Sequence, residues 1–175
     1  MEKVELNKSM HLSEHITLGE VTKTSVKTAG ERSATQGDAL LAKNIPSHVA
    51  IENLRNLCEN WLEELRENYN LIYEGVGDCK GDEPIIITSG YRSPEVNKAV
   101  GGAPTSNHLT GCAVDIRCVG IEQAIRYACI LLDIADGTKR DYDELFIERS
   151  KQGRYWIHFA VRPKDNRRKT AFIQT

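Results

Sequence analysis

The chain has 175 residues, of which 40% are hydrophobic and 27% are charged, and this composition is typical of a soluble protein with one globular domain. Its formal net charge of −2 provides no long-range attraction to nucleic acid or to an anionic membrane, so we expect neither as a partner. The five cysteines contain no CxxC pair, which argues against a disulfide framework and against a zinc knuckle. We expect a monomer.

Hydropathy predicts neither a leader nor a membrane segment. Residues 1–8 contain no apolar stretch after their charges, and no later stretch approaches the ~20 apolar residues that span a bilayer. We therefore expect synthesis in the cytoplasm without a signal peptide.

The N-terminal third is expected to surround the domain and then to contribute its first long helix. Residues 1–45 are mixed and polar, so we expect a wrapping segment, followed by a core at residues 46–161 and a basic tail at residues 162–175. The tail is expected to be a solvated end. After Pro46-Ser47, apolar residues recur at helical spacing and predict an amphipathic helix that ends near residues 68–70; they are Leu54, Leu57, Cys58, Trp61, Leu62 and Leu65.

The middle of the chain alternates short strands with helices. Residues 84–89 form a β-branched run between turn residues, which predicts a buried central strand. Ser93-Pro94 then predicts an N-cap and a short helix that ends near Val100. A second strand is predicted at residues 113–117.

The C-terminal part predicts one more helix and a hairpin. Apolar residues recur at helical spacing from Ile121 to Leu132, and residues 136–137 should end that helix. The runs at 144–148 and 154–161 flank a polar turn, which predicts an antiparallel hairpin, and residues 171–173 could add an edge strand. The predicted fold class is α+β, with a small, mostly antiparallel sheet and flanking helices.

Two histidines and one aspartate predict a metal site. Gly111 allows the chain to turn from His108 into the strand that carries Asp115, and His158 would come from the neighbouring hairpin. A carboxylate in an apolar strand must be paired or metal-bound if it faces inward. Two imidazoles and a carboxylate suit catalytic zinc, which keeps three protein ligands and an activated water, so the site indicates hydrolysis. The spacing alone also fits a surface histidine and a hydrogen-bonded core histidine.

Several segments carry a family resemblance. They are Ile-Thr-Ser-Gly-Tyr-Arg-Ser-Pro at 87–94, Asn-Lys-Ala-Val-Gly-Gly at 97–102, the pattern S-x-H-x-x-G-x-A-x-D at 106–115, and Trp-Ile-His at 156–158. Together they resemble the zinc D-alanyl-D-alanine peptidases, and most of all their compact single-domain branch in bacteria, phages and prophages. The similarity covers roughly residues 17–159 and implies a Hedgehog/DD-peptidase-like fold.

The resemblance implies roles for individual residues. His108, Asp115 and His158 match the zinc ligands, and Arg92 matches the arginine that holds the substrate carboxylate or the developing oxyanion. Ser106 could hydrogen-bond the substrate or cap its own loop. The implied substrate is a peptidoglycan stem peptide, cut at a D-alanine-containing linkage by a DD-carboxypeptidase or an endolysin-like endopeptidase. The implied place of action is the bacterial cell wall, reached during phage or prophage release.

The chain departs from the family at the general base. Other branches have an acidic residue three positions before the last histidine, where this chain has Tyr155. Glu148 resembles a glutamate of the compact branch, and it is our candidate to take the proton of a zinc-bound water while zinc and Arg92 stabilise the oxyanion. A surface glutamate paired with Arg149 or Lys151 is the other interpretation of Glu148.

Two neighbouring acids are further candidates. Glu144 has the same strand parity as Glu148 and is the second choice for the base, whereas Asp143 points the other way and could support a ligand histidine. Tyr155 keeps a different class of function open, namely a non-catalytic, zinc-containing module that binds the cell wall or serves in a phage structure. A cytosolic zinc dipeptidase is the remaining alternative.

Overall fold

A computed structural model describes residues 7–24 and 39–175 of the chain. A five-stranded sheet in the order β1-β2-β4-β3-β5 forms the centre of this part. The β1–β2, β2–β4 and β4–β3 pairings are antiparallel, and β3 pairs with β5 in parallel. This arrangement confirms the predicted α+β class. The strands are β1 (Ile87–Ser89), β2 (Ala113–Cys118), β3 (Glu144–Arg149), β4 (Tyr155–Ala160) and β5 (Lys169–Gln174).

Helical segments precede the sheet and connect its strands. They are α1 (Leu18–Val21), α2 (His48–Leu57), a π-helical turn (Cys58–Leu62), α3 (Glu63–Tyr73), α4 (Pro94–Ala99), a 3-10 turn (Asn107–Thr110) and α5 (Gly120–Thr138). No helix in residues 7–24 or 39–175 is long and apolar enough to cross a membrane.

The first long helix begins where the sequence predicts and continues further. The Ser47 hydroxyl caps α2 by accepting a hydrogen bond from the Ala50 N–H, and all six apolar residues of the predicted stripe are buried. The π-helical turn and α3 extend the helix to Tyr73, a few residues beyond the predicted end. The last turn is packed onto the domain, because the Tyr73 ring lies 5.3 Å from that of Tyr69, which in turn packs edge-on against Tyr127 of α5.

The two faces of the sheet have different environments. Val114 of β2 and Ile157 and Phe159 of β4 are buried against the helices, and the Trp61 ring lies 5.1 Å from that of Phe159. Side chains alternate along a strand, so Asp115 and His158 point to the opposite face. That face carries the polar residues described below.

The prediction of a central first strand is wrong, because within residues 7–24 and 39–175 β1 lies at an edge of the sheet and pairs with β2 alone. The apolar residues of β1 therefore have a different explanation from a central position in the sheet. The N-terminal segment covers this edge, where Tyr91 N–H donates to the Val21 carbonyl of α1 at 2.7 Å, so Ile87 is buried without a second neighbouring strand.

The basic tail is exposed along most of its length, as its charges suggested, but it is also anchored to the rest of the domain. Asp143 is completely buried, and a buried carboxylate needs a partner. Arg167 provides it with two hydrogen bonds, from Nε at 2.7 Å and from Nη2 at 2.6 Å. The following residues form β5, which confirms the predicted edge strand at residues 171–173.

Candidate metal centre

Three side chains meet on the polar face of the sheet. His108, Asp115 and His158 each offer one donor atom, and these atoms lie within 4.8 Å of one another. Asp115 Oδ1 is 3.2 Å from His108 Nε2 and 2.9 Å from His158 Nδ1. The register explains part of this geometry, because Asp115 of β2 lies directly opposite His158 of β4.

A tight turn brings His108 to this pair. Ser106 caps the 3-10 turn through its hydroxyl, which accepts a hydrogen bond from the His108 N–H at 3.4 Å. Gly111 ends the turn with a φ of 72°, which L side chains rarely adopt. A Cβ atom at Gly111 would also lie only 2.3 Å from the Ala50 carbonyl oxygen, so this position requires glycine.

Hydrogen bonds at the outer ring nitrogens orient both histidines. His108 Nδ1 lies 2.6 Å from the Gly90 carbonyl oxygen, which can only accept, so this nitrogen carries a proton and Nε2 is the atom directed at the site. His158 Nε2 lies 3.4 Å from a carboxylate oxygen of Glu144, which leaves Nδ1 facing Asp115. Metal-binding histidines usually have such partners, since these fix the tautomer and raise the basicity of the ring.

The pKa values of the three side chains favour the binding of a cation. Burial would raise the pKa of Asp115, but the two histidines outweigh it and hold the pKa well below its usual range. Burial lowers the pKa of His108, although Asp115 acts in the opposite direction. Burial acts in the same direction on His158, yet Asp115 and Glu144 raise its pKa to about 9. A metal ion would replace the proton that these carboxylates attract.

The donor set fits zinc. It comprises two oriented imidazoles and an ionised carboxylate, which is the number and type of protein ligands that catalytic zinc uses. The group also opens into a cleft of about 800 Å³, so a further ligand could reach it from solvent.

Arg92 lies beside this group and is held at three points. Its Nη2 donates to Asp115 Oδ2 at 2.9 Å, its Nε to the Ser89 hydroxyl at 3.0 Å, and its Nη1 to Asn97 Oδ1 at 3.4 Å. Because Arg92 binds Oδ2 of Asp115, the other carboxylate oxygen, Oδ1, faces the two histidines. A guanidinium has five N–H donors, so one on each terminal nitrogen remains for a ligand in the cleft.

The two candidate bases, Glu144 and Glu148, have different environments in the structure. Glu144 supports His158 and also accepts hydrogen bonds from Asn107 and Arg167, so its carboxylate is fully engaged. Glu148 lies on the same face, lines the cleft and is half-buried. Within residues 7–24 and 39–175 its carboxylate has no hydrogen bond or ion pair, so the pairing with neighbouring basic residues does not occur there. Burial raises the pKa of Glu148.

Asp143 does not contact a ligand histidine, so its suggested role as a histidine support is wrong, and Glu144 occupies that position instead. Asp143 instead accepts a hydrogen bond from Asn107 at 2.8 Å and those from Arg167. This carboxylate therefore fixes the residue that precedes His108 in the 3-10 turn.

Sequence analysis missed several residues of the cleft wall. Arg117 follows Asp115 by two residues on β2, and Trp156 precedes His158 by two on β4, so both lie on the polar face and line the cleft. Strand alternation could have identified them. Tyr155 alternates away from His158, and the Arg149 guanidinium lies 5.7 Å from the centre of its ring.

Fold and donor set together define a candidate zinc metallohydrolase. Residues 58–131 match the sequence model of a family described as Peptidase M15. The matched segment contains Arg92, His108 and Asp115 and ends before Glu148 and His158. The match supports the family that the motifs indicate, the zinc D-alanyl-D-alanine peptidases, and with it a zinc metallopeptidase that acts on cell-wall peptides. A comparison with curated proteins found no match.

Proposed function

We propose that this protein is a zinc-dependent peptidase that hydrolyses a D-alanine-containing bond in peptidoglycan stem peptides. One observation carries the proposal: the three convergent donors share a cleft with the anchored guanidinium of Arg92 and with Glu148, whose carboxylate has no partner among the described residues. When bound, zinc would lower the pKa of a water molecule towards ~7 and polarise the scissile carbonyl.

Glu148 is the proposed general base. Its carboxylate would accept the proton of the attacking water and pass it to the leaving amine. Its raised pKa brings the group closer to neutral pH, where a base transfers protons most effectively. Because Glu144 is held by three partners, it would act on the metal ligand His158 rather than on the substrate.

Arg92 and Ser106 are the proposed substrate contacts. The two remaining N–H donors of Arg92 could bind a substrate carboxylate, or the carbonyl oxygen as negative charge develops on it. Ser106 lines the same cleft, and because its oxygen accepts the His108 N–H, its own O–H is available to donate to a peptide.

The test is digestion of purified muropeptides by the zinc-loaded protein, with products identified by mass spectrometry. A carboxypeptidase would release free D-alanine, whereas an endopeptidase would release peptide fragments, as expected for phage or prophage release from the wall. A parallel incubation with D-alanyl-D-alanine addresses the dipeptidase alternative. Intact muropeptides after incubation with a protein that holds one zinc ion per chain would instead support the binding module.

A further inference from the structure

We propose that Arg117 and Arg154 form a carboxylate-binding subsite along the cleft, so that the preferred peptide carries a free acidic group two to four residues from the cleaved bond. This inference rests on the proposed peptidase function and specifies the substrate class further. Neither arginine belongs to the donor group or to the motifs recognised in the sequence.

The two guanidinium groups are free to bind a ligand. Both residues are exposed and line the cleft. In residues 7–24 and 39–175, neither side chain makes a hydrogen bond or an ion pair, whereas Arg92 and Arg167 are each held by a carboxylate. Their positive charge therefore remains unneutralised at the wall of the cleft.

Their backbones are fixed, so the positions of the two charges are defined. The Arg117 N–H donates to the Ile86 carbonyl at 2.9 Å, and the Arg154 carbonyl accepts a hydrogen bond from the Ser150 N–H at 2.9 Å. Arg117 lies opposite Trp156 in the register of β2 and β4, and Arg154 precedes Trp156 by two residues. Both arginines thus flank one half-buried aromatic ring on the polar face.

The spacing matches an extended peptide. A strand rises about 3.3 Å per residue, so Arg117 lies roughly 7 Å along β2 from Asp115, and Arg154, the residue before β4, lies roughly 13 Å from His158. A substrate chain in the same extended conformation covers these distances in two and four residues. A carboxylate at those positions would meet the arginines while Trp156 contacts the intervening apolar atoms.

The acids on this face do not compete. Asp115 is held by Arg92 and by the two histidines. Glu148 lies on the other side of Trp156 in the register, two strand spacings or about 9.6 Å from Arg117. An acidic peptide could therefore bind the arginines without displacing an internal partner.

The test measures binding separately from catalysis. Two stem-like peptides are compared, one with free acidic groups and one with the same groups amidated. Each is titrated into zinc-loaded protein that carries Glu148→Gln, so that no turnover is expected. Trp156 reports binding by fluorescence, because the only other tryptophan, Trp61, is buried in the core. The variants are Arg117→Gln, Arg154→Gln and their combination. Lys151→Gln is the control, because like each single variant it removes one positive charge, but from a residue outside the cleft.

We expect the parent protein to bind the acidic peptide at least about tenfold more tightly than its amide at low salt, since charge-assisted hydrogen bonds contribute this much. The double variant should bind both peptides equally, and Lys151→Gln should keep the preference. A preference that survives in the double variant, an equal affinity in the parent protein, or no binding of either peptide would overturn the proposal. Hydrolysis by the protein with Glu148 intact tests the proposed function separately.

Discussion

Asp115 organises the site because its two oxygens have different partners. Oδ1 faces both histidines, and Oδ2 is held by Arg92. The guanidinium therefore directs one carboxylate oxygen towards the donor group. The sequence motif predicted each of these residues, but only the structure shows that one side chain connects them all.

The metal ligands give the first prediction. His108→Ala and His158→Ala should each lose stoichiometric zinc, because two donors remain where catalytic zinc needs three. Metal content after gel filtration measures this, by elemental mass spectrometry. His48→Ala, which removes an exposed histidine of α2, should retain one zinc ion per chain. Full zinc occupancy in either ligand variant would exclude that histidine from the site.

Glu144 gives a second prediction at this scale. Glu144→Ala removes the acceptor of His158 Nε2 and should weaken zinc binding by about 10- to 100-fold, whereas Glu144→Gln keeps an acceptor and should lose less. Competition with a chromogenic chelator measures the affinity, and Glu67→Ala on the exposed face of α3 serves as the control. Equal zinc affinity in all three variants would show that Glu144 does not support the ligand.

At the scale of elements, local patterns predicted most of the sheet. Alternation and turn residues correctly placed β2 and the β3–β4 hairpin, and periodicity placed both long helices. The edge position of β1 and the parallel pairing of β5 could not be predicted, since both depend on contacts between distant segments. The same holds for the site. Arg117 of β2 and Glu148 of β3 lie opposite the same residue of β4, and only the strand register shows this alignment.

The turn that positions His108 gives the third prediction. Gly111→Ala should destabilise the fold by about 1–3 kcal/mol from its positive φ alone, with a further cost from the contact with the Ala50 carbonyl. Urea unfolding measures the change in the free energy of unfolding. Gly137→Ala in α5 is the matched control, because its Cβ meets no atom within 4 Å and alanine favours a helix by about 1 kcal/mol. Equal stability of the two variants would contradict this account of Gly111.

At the scale of the whole molecule, the sheet separates the hydrophobic core on one face from the cleft on the other. The C-terminal tail lies along one edge of this sheet. Arg167 reaches back from the tail to Asp143, which in turn holds Asn107 beside His108. The C-terminal tail is thereby linked to the candidate metal centre through partly buried polar contacts. Charge composition alone gave no sign of this link.

The hydrogen bonds of Asp143 with Arg167 and Asn107 give the fourth prediction. Burial would raise the pKa of Asp143, but hydrogen bonds from Arg167 and Asn107 lower it to about 2, below its ordinary value of 3.8. A pKa lowered by folding contributes stability above the unfolded value, and this contribution is lost as the pH falls from about 4 towards 2. Urea unfolding across this range should therefore show a smaller pH dependence for Asp143→Asn than for the wild type. An identical pH dependence in both proteins would contradict the assignment.

We propose that the three metal donors and Glu148 form one hydrolytic site. The most direct test compares the wild type and Glu148→Gln, each with one zinc ion per chain, in the hydrolysis of a stem peptide followed by mass spectrometry. Because the base is lost while the metal ligands remain, we predict that the variant keeps its zinc and that its rate falls by at least about 100-fold. A zinc-loaded variant that hydrolyses the peptide at the wild-type rate would contradict the claim.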